Sequence, residues 1–552
     1  METTQMGKDS KAKSRFDYVK LSAAASGRGL IATARDMKET RDKFGVNFRE
    51  YYERKFYDMS YTQKARESKK TAGNHRRRAE ALKQIMAASG MTEKQLTERI
   101  KDLNRRSSYK LNLHWFNRLE MYKLDEAQTD EVLALLSRRL ELGDSLREKF
   151  RAIDKSDPFC GIDPKALEGP DSPVRPGSSV VSGGPEHSGS RSEWYETAYA
   201  NVWSEYKEFV EITQKLMTDT IRAELKEAIV PSRPDLTGDQ DHPGDPAALE
   251  ETLVDMETSR LLLGFNLVEY VMFDLNHKSL PEKREFITEP ERAVVLDTVN
   301  DMSQADNLDD KYKTYCFLKE YYGRDMILVE SERDLPKFRE FCKNNPTFVR
   351  KLFYDSMGRG VQPIEVAGDV DALFKKLLAE EPDGFIAEGL IKSHPALSAL
   401  NPDSVNTARL ITYYDGENMF VYKPFMKIGQ KGSFVDNGGA GGIFTAINAE
   451  KGYFESNGID EKGRRYDTHP YTGVTFEGFQ LPDWEQALAL GRKICDKIPG
   501  FRFIGWDLAY TEEGKWIIVE GNSITQFLGQ QSTRNLGAKR HLIEVVNYEG
   551  EL

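Results

Sequence analysis

The stretch Gly505–Asn522, GWDLAYTEEGKWIIVEGN, constrains the fold of this chain more than any other. Two runs rich in aromatic and branched residues, Ile504–Tyr510 and Lys515–Glu520, flank the turn Thr511–Gly514, which is the pattern of a β-hairpin. With a side-chain period of two, Trp516, Ile518 and Glu520 fall on one face of the return strand and Lys515, Ile517 and Val519 on the other. Asp507 in the first strand and Glu520 in the second lie at similar depths from the turn, so their carboxylates can approach each other across the ladder. Together with the Asn522 carboxamide they form a set of hard oxygen donors. Such a set suits Mg2+ held jointly by protein and nucleotide phosphates. A solvated hairpin with scattered acids has the same local pattern, so the rest of the chain has to decide between the two.

A chain of 552 residues exceeds what one core serves, and two or three domains are expected. It has no run of about 18 apolar residues and no charged-then-apolar start of secretory type, which points to a cytoplasmic protein without a membrane span. Cys160, Cys316, Cys342 and Cys495 stand apart with no CxxC, so reduced thiols are expected rather than a zinc site or disulfides. The net charge of -11 is uneven: residues 1–156 hold about 35 Lys and Arg against about 23 Asp and Glu, leaving roughly -23 for the remainder. A basic front half fits an acidic partner. It equally fits attraction between the halves, or plain solvation.

Residues 1–32 read as a flexible N-terminus. From 33 to 160 the pattern is a helical domain, with apolar residues three and four apart and no proline before Pro158. A repeat runs through the helical parts. Asn47, Asn112 and Asn266 each stand between apolar residues and are each followed, four positions on, by an aromatic: Tyr51, Phe116 and Tyr270. Each Asn fits a helix N-cap with the aromatic on the buried face. Residues 161–192, rich in Pro, Gly and Ser, read as a disordered linker. Residues 193–303 read as a helical region, with long helices from Pro246 to about Asn276 and from Glu289 to about Ser303. From 304 to 552 short strands alternate with helices, for example a strand at Asp325–Val329, a helix at Leu335–Lys343 and a strand at Phe348–Leu352. The fold class is therefore α+β at the C-terminus, behind a largely α-helical N-terminal region.

The α+β part holds a series of chemically pointed positions. Lys351 ends a strand and is followed by a loop whose Ser356, Gly358 and Gly360 let backbone N–H groups approach phosphate oxygens. This loop matches neither GxxxxGK[ST] nor GxGxxG. Glu388 lies in the apolar strand Phe385–Ile391, where it can meet a donor on a base or ribose. Arg409 sits in the apolar strand Asn406–Thr412 and needs an anion, either a phosphate or a structural carboxylate. Lys427 follows in Phe425–Gly429, and the loop Ser433–Gly442, which includes Asn437, offers backbone donors. His394 and His469 lie in loops, where a histidine either meets a substrate or serves the fold.

In this order the residues resemble the ATP-grasp superfamily, and within it the sugar-transfer-associated ATP-grasp family most closely. The motifs that carry the resemblance are Asp310–Tyr315, Val349–Gly360, His394–Leu397, Asn401–Arg409, Gly432–Gly442, Arg465–Pro470 with Thr472-Gly473, and Gly505–Asn522. They span roughly residues 260–535. The resemblance implies an ATP-grasp catalytic domain that uses ATP and Mg2+. It implies that Lys311 and Lys351 hold the ATP phosphates and that Ser356, Gly358 and Gly360 fold over them. Glu388 and Leu390 would line the adenine hinge, Asn437 and its loop would contact the nucleotide, and Asp507, Glu520 and Asn522 would ligate the metal. Arg409 and Lys427 are then the catalytic cations beside the transferred phosphate. The family pattern usually has Arg where this chain has Lys427, which keeps the charge without the fork.

Most ATP-grasp enzymes are ligases in which a carboxylate attacks the γ-phosphate, an acyl phosphate forms, and an amine or thiol displaces phosphate. The resemblance therefore implies an ATP-dependent carboxylate–amine or carboxylate–thiol ligase acting on a small molecule, a peptide or an amino-sugar, in polysaccharide, peptide or natural-product biosynthesis. Two alternatives stand beside it. One is a phosphotransferase acting on a hydroxyl. The other is a nucleotide-sensing protein whose basic helical half binds a macromolecular partner, such as a protein or carrier. Arg76-Arg77-Arg78 and Arg105-Arg106 read better as solvated helix faces than as nucleic-acid contacts.

Overall fold

The computed structural model describes residues 126–156, 191–236, 244–352, 361–382 and 384–546. The flexible N-terminus, most of the helical reading up to 160, the repeats at Asn47 and Asn112, nearly all of the linker, and Ser356, Gly358 and Gly360 lie outside the described residues. Two compact units emerge: one of residues 292–535, the other of the described residues up to 291 with 536–546. No helix among the described residues is long and apolar enough to cross a membrane.

In the helical unit, the helix Glu126–Ser156 carries Leu142, Leu146, Phe150 and Ile153 at three-and-four spacing, all buried. They join Phe209, Ile212 and Leu216, from the helix Trp203–Lys215 and its end, in one core. Arg284 lies 4.3 Å from the Phe150 ring centroid and donates to Asp154 at 2.6 Å, so its stem is packed and its charge paired. The long helix expected from Pro246 to Asn276 is interrupted. Helix Pro246–Thr258 runs into a π turn, Ser259–Leu263, which Gly264 ends at φ 89°. Asn266 then starts the helix Leu267–Met272. Its Oδ1 accepts from the Glu269 N–H at 2.9 Å, and Glu269 Oε2 accepts from the Asn266 N–H at 2.8 Å, a reciprocal capping box. Tyr270 is buried, as the repeat pattern implies. Apolar spacing continues across this break because it does not register the left-handed glycine between the two helices.

The other unit builds two antiparallel sheets. The smaller contains β1 (Met326–Val329), β2 (Thr347–Lys351), β3 (Gln362–Glu365) and β4 (Phe385–Gly389), in the order β1-β4-β2-β3. Phe338 and Phe341 from the helix Leu335–Asn344, and Phe374 and Leu377 from the helix Val370–Glu380, pack with Phe348 and Phe385 of this sheet. The larger sheet contains β5 (Thr407–Tyr414), β6 (Met419–Val421), β7 (Phe425–Ile428), β8 (Ile443–Ala446), β9 (Gly458–Asp460), β10 (Arg465–Tyr466), β11 (Phe503–Tyr510) and β12 (Trp516–Asn522). Its order is β10-β9-β8-β7-β5-β11-β12, with β6 paired to β5. Its core joins Ala408, Leu410, Met426, Trp506, Leu508 and Ile518 to the helices Lys311–Tyr322 and Trp484–Ile494. Trp506 is fully buried, and its indole N–H donates to Thr412 Oγ1 at 3.0 Å, so no buried donor is stranded.

β11 and β12 form the expected hairpin, with Tyr510 opposite Trp516 and Asp507 opposite Glu520. The face assignment on the return strand needs correcting. Leu508 pairs with Ile518 while Asp507 pairs with Glu520, so Val519 is the extra residue of a β-bulge. Strict alternation would put Glu520 on the core side with Trp516 and Ile518. The bulge turns it to the opposite face, beside Asp507, and spares the core an unpaired carboxylate.

The capping box yields a prediction. Asn266→Ala should lower stability by about 1 kcal/mol, read as a shift in the urea unfolding midpoint. An unchanged midpoint would show that the cap contributes nothing.

Candidate active site

Alternation along three adjacent strands of the larger sheet creates a polar face. Ala408, Leu410, Met426, Trp506 and Leu508 enter the core, so Thr407, Arg409, Lys427 and Asp507 point the other way. The register then sets Arg409 opposite Asp507, Asp507 opposite Glu520, and Thr407 opposite Lys427. Arg409 forks onto Asp507, Nε to Oδ1 at 2.6 Å and the NH2 nitrogen to Oδ2 at 3.0 Å. Lys427 Nζ donates to the same Oδ2 at 2.9 Å. Asp436 lies 3.6 Å from Lys427 Nζ and accepts from the Thr407 N–H at 2.9 Å and from its hydroxyl. Gly505 permits this packing, because a Cβ there would lie 2.3 Å from the Thr525 hydroxyl, which in turn accepts from Arg409.

Burial disfavours every charge in this cluster, and neighbours decide the outcome. Burial pushes Asp507 up, but Arg409 and Lys427 outweigh it and hold the carboxyl well below its usual range. Burial pulls Arg409 down, and Asp507 more than restores it. Lys427 is likewise lowered by burial and raised further by Asp436 and Asp507, so it stays an ammonium. Asp436 is raised, because burial outweighs Lys427 there. The partner that Arg409 needs is thus a protein carboxylate.

The smaller sheet supplies a second cluster. Lys351 Nζ lies 2.5 Å from Glu388 Oε2, and Arg324 Nε donates to Glu388 Oε1 at 2.6 Å. Burial pushes Glu388 up, but Arg324 and Lys351 outweigh it and lower it. The Glu388 carboxylate is therefore engaged with two cations, where the sequence reading offers it to a base or ribose. Lys311 opens a helix capped by Asp310, which accepts from the Tyr312 and Lys313 N–H groups, both at 3.0 Å. Lys311, Lys351 and Glu520 line one cleft with Leu308, Thr314, Tyr322, Met326, Val519 and Gly521.

The remaining positions are as follows. Leu390 is half-buried just past β4. Asn437 is half-buried and starts the turn Gly438–Ala440, its carbonyl accepting from the Ala440 and Gly442 N–H groups. Asn522 Nδ2 donates to the Gly505 carbonyl at 3.1 Å, which turns its amide oxygen away from that strand. His394 Nδ1 accepts from the Ala396 N–H at 3.1 Å, capping a short helix. His469 is buried, its Nε2 3.0 Å from the Gly429 carbonyl, and burial lowers its pKa. Both histidines serve the backbone. Sequence reasoning missed Arg324 and Asp436. Arg324 lacks the signal that picked out Arg409, because it precedes its strand instead of lying within it. Asp436 adjoins Asn437, in a loop read for its glycines.

Among the described residues, no three His, Cys, Asp or Glu groups gather around one point. Asp507, Glu520 and Asn522 still make a fitting partial set. A carboxylate offers about four lone-pair sites, and three hydrogen bonds engage Asp507. Mg2+ keeps waters and substrate phosphates as its other ligands, so one or two carboxylates suffice.

Residues 292–546 match the family described as sugar-transfer associated ATP-grasp. This segment is an ATP-grasp domain of that family. Among solved structures, the chain is similar to D-alanyl-alanine synthetase A from Vibrio cholerae at 10% identity, covering 44% of this chain and 66% of that one, with a TM-score of 0.30. It is also similar to an L-amino acid ligase from Bacillus licheniformis, at 15% identity, 45% and 48% coverage, and a TM-score of 0.28. For the ATP-grasp ligase PsnB complexed with the precursor peptide PsnA2 and AMPPNP, the values are 11%, 47% and 65%, and 0.29. The chain thus spans less than two thirds of the length of each. No curated protein matches it.

Within the ATP-grasp domain, Asp507→Asn should cost about 3–5 kcal/mol near neutral pH, because it leaves Arg409 and Lys427 buried without their shared acid. The folded pKa of Asp507 lies below its unfolded value of about 3.9. Its contribution is therefore complete above that value and is lost as pH falls through the folded one. Urea unfolding from pH 7 to pH 3 should show the gap between wild type and variant narrowing in acid; a constant gap would contradict the assignment.

Proposed function

We propose that the ATP-grasp domain joins a carboxylate to an amine or thiol at the expense of ATP, through an acyl phosphate. The observation that carries this reading is the row Arg409–Asp507–Glu520, flanked by Lys427, whose last member lines the same cleft as Lys311 and Lys351. Phosphoryl transfer asks little covalent chemistry of a protein. It asks for cations fixed against developing charge.

The roles follow from that requirement. Lys311 and Lys351 hold the nucleotide phosphates, with Leu390 at the base and the Glu388 carboxylate fixing Lys351. Ser356, Gly358, Gly360 and Asn437 contribute backbone contacts. Asp507, Glu520 and Asn522 hold Mg2+, which when bound supplies positive charge at the phosphates. Arg409 and Lys427 stabilise the transferred phosphoryl group. Lys427 is held protonated, so it acts as a cation and not as a base. A carboxylate oxygen of the substrate attacks the γ-phosphorus and ADP leaves. The acceptor nitrogen or sulfur then attacks the acyl carbon, phosphate leaves, and the nucleophile gives up its proton. The reaction belongs in the cytoplasm, and the helical N-terminal half is the part proposed to bind a protein or carrier partner.

The test is product analysis with the Glu520→Gln variant as control. ADP and phosphate that appear only when both a carboxylate and an amine or thiol are supplied support ligation. ADP with a phosphorylated alcohol would replace it by phosphotransfer. Failure to turn over ATP across a broad panel would favour a nucleotide sensor. Glu520 is half-buried at the cleft, so Glu520→Gln should fold normally and lower kcat by roughly 100-fold or more. Retained turnover at saturating Mg2+ would remove Glu520 from the metal site.

A further inference from the structure

Arg324 sits between the helix Lys311–Tyr322 and β1, with a side chain only 6% exposed. A guanidinium has five N–H donors, and here each has an acceptor. Nε and the NH2 nitrogen donate to Glu388 Oε1, the former at 2.6 Å, and NH2 also donates to the Val519 carbonyl at 3.3 Å. The NH1 nitrogen donates to the Ile518 carbonyl at 2.6 Å and to the Tyr322 carbonyl at 2.8 Å. Glu388 belongs to the smaller sheet, while Ile518 and Val519 belong to the bulge that sets Glu520 on the site face.

We infer that Arg324 is a positioning residue of the nucleotide site, tying β4, whose Glu388 pairs with Lys351, to the bulge that aims Glu520. This inference rests on the nucleotide-binding reading above. Two physical effects support it. Glu388 carries one charge and faces two cations, Arg324 and Lys351. Without Arg324, Lys351 would have the acid to itself, and its charge would be neutralised locally instead of meeting a phosphate. The Ile518 and Val519 carbonyls would also lose their donor, and the bulge its anchor to β4. Lysine cannot stand in. Its single ammonium cannot fork onto a carboxylate and reach carbonyls of another strand at once.

The experiment uses the full chain and two variants, Arg324→Lys and Arg324→Met. Equilibrium binding of a fluorescent ADP is measured with and without Mg2+, alongside thermal unfolding and amide hydrogen exchange at Val519–Gly521. Both variants should bind ADP about tenfold or more weakly, gain less from Mg2+, and exchange those amides faster, with no rescue by lysine. Wild-type ADP affinity, Mg2+ response and exchange in a folded Arg324→Lys variant would overturn the inference. If the methionine variant does not fold, the lysine variant decides. If neither folds, Arg324 is a folding residue and the inference falls. A wild type that binds no ADP would refute the nucleotide reading itself, and hydrogen exchange would then still show whether Arg324 anchors the bulge.

Discussion

The carboxylate of Asp507 is buried and shared by Arg409 and Lys427, and the polar face of the larger sheet depends on it. None of the three can stand alone at this depth. A lone carboxylate would take up a proton and a lone lysine would shed one, and each change would undo its neighbour's reason for being charged. The three strands must therefore keep one register, because a slip of one residue would send every charge into the core. Burying such a network is a poor way to gain stability, since apolar side chains of similar size would do as well or better. What it provides is a fixed arrangement of charge. That is the property phosphoryl transfer uses.

The smaller sheet repeats the device. Glu388 is buried and clamped by Arg324 and Lys351, as Asp507 is by Arg409 and Lys427. In each case an arginine fork fixes the acid and a lysine shares it. The difference lies in the balance. In the larger sheet Asp436 supplies a second negative charge, so that cluster is close to neutral. Among the described residues the ion pairs of the cluster around Glu388 include no such fourth member, and the cluster borders the cleft that Lys311 and Glu520 also line. A positive surplus at a cleft is a standing invitation to a polyanion, whereas a neutral cluster is suited to act only where charge develops.

Much of this was legible in the sequence, for reasons that differ by residue. The hairpin could be read because alternation and turn chemistry are local. Arg409 stood out because an arginine in an apolar strand must find an anion, although the anion proved to be Asp507. Lys351 and Glu388 were both recognised, but not that they pair with each other. That pairing depends on which strands become neighbours, and in the order β1-β4-β2-β3 the sheet places β4 beside β2 across a long crossover. Arg324 and Asp436 were missed because they lie outside strands, where periodicity has nothing to report. The break at Gly264 escaped notice because a left-handed glycine leaves the apolar spacing on either side intact.

The bulge at Val519 has a consequence for how this hairpin can vary. It separates the β11–β12 ladder into two stretches with different duties. The distal stretch, from Leu508 opposite Ile518 to Tyr510 opposite Trp516, answers to the core, while on the proximal side the pair Asp507 and Glu520 answers to the charges. Changes in the length of the tip leave the proximal pairing alone, because the strand is re-phased below it. Deleting a single residue at the bulge would do the reverse: the core pairs would stay and the acid would change sides. The one position that looks like an irregularity is thus the one where length is fixed.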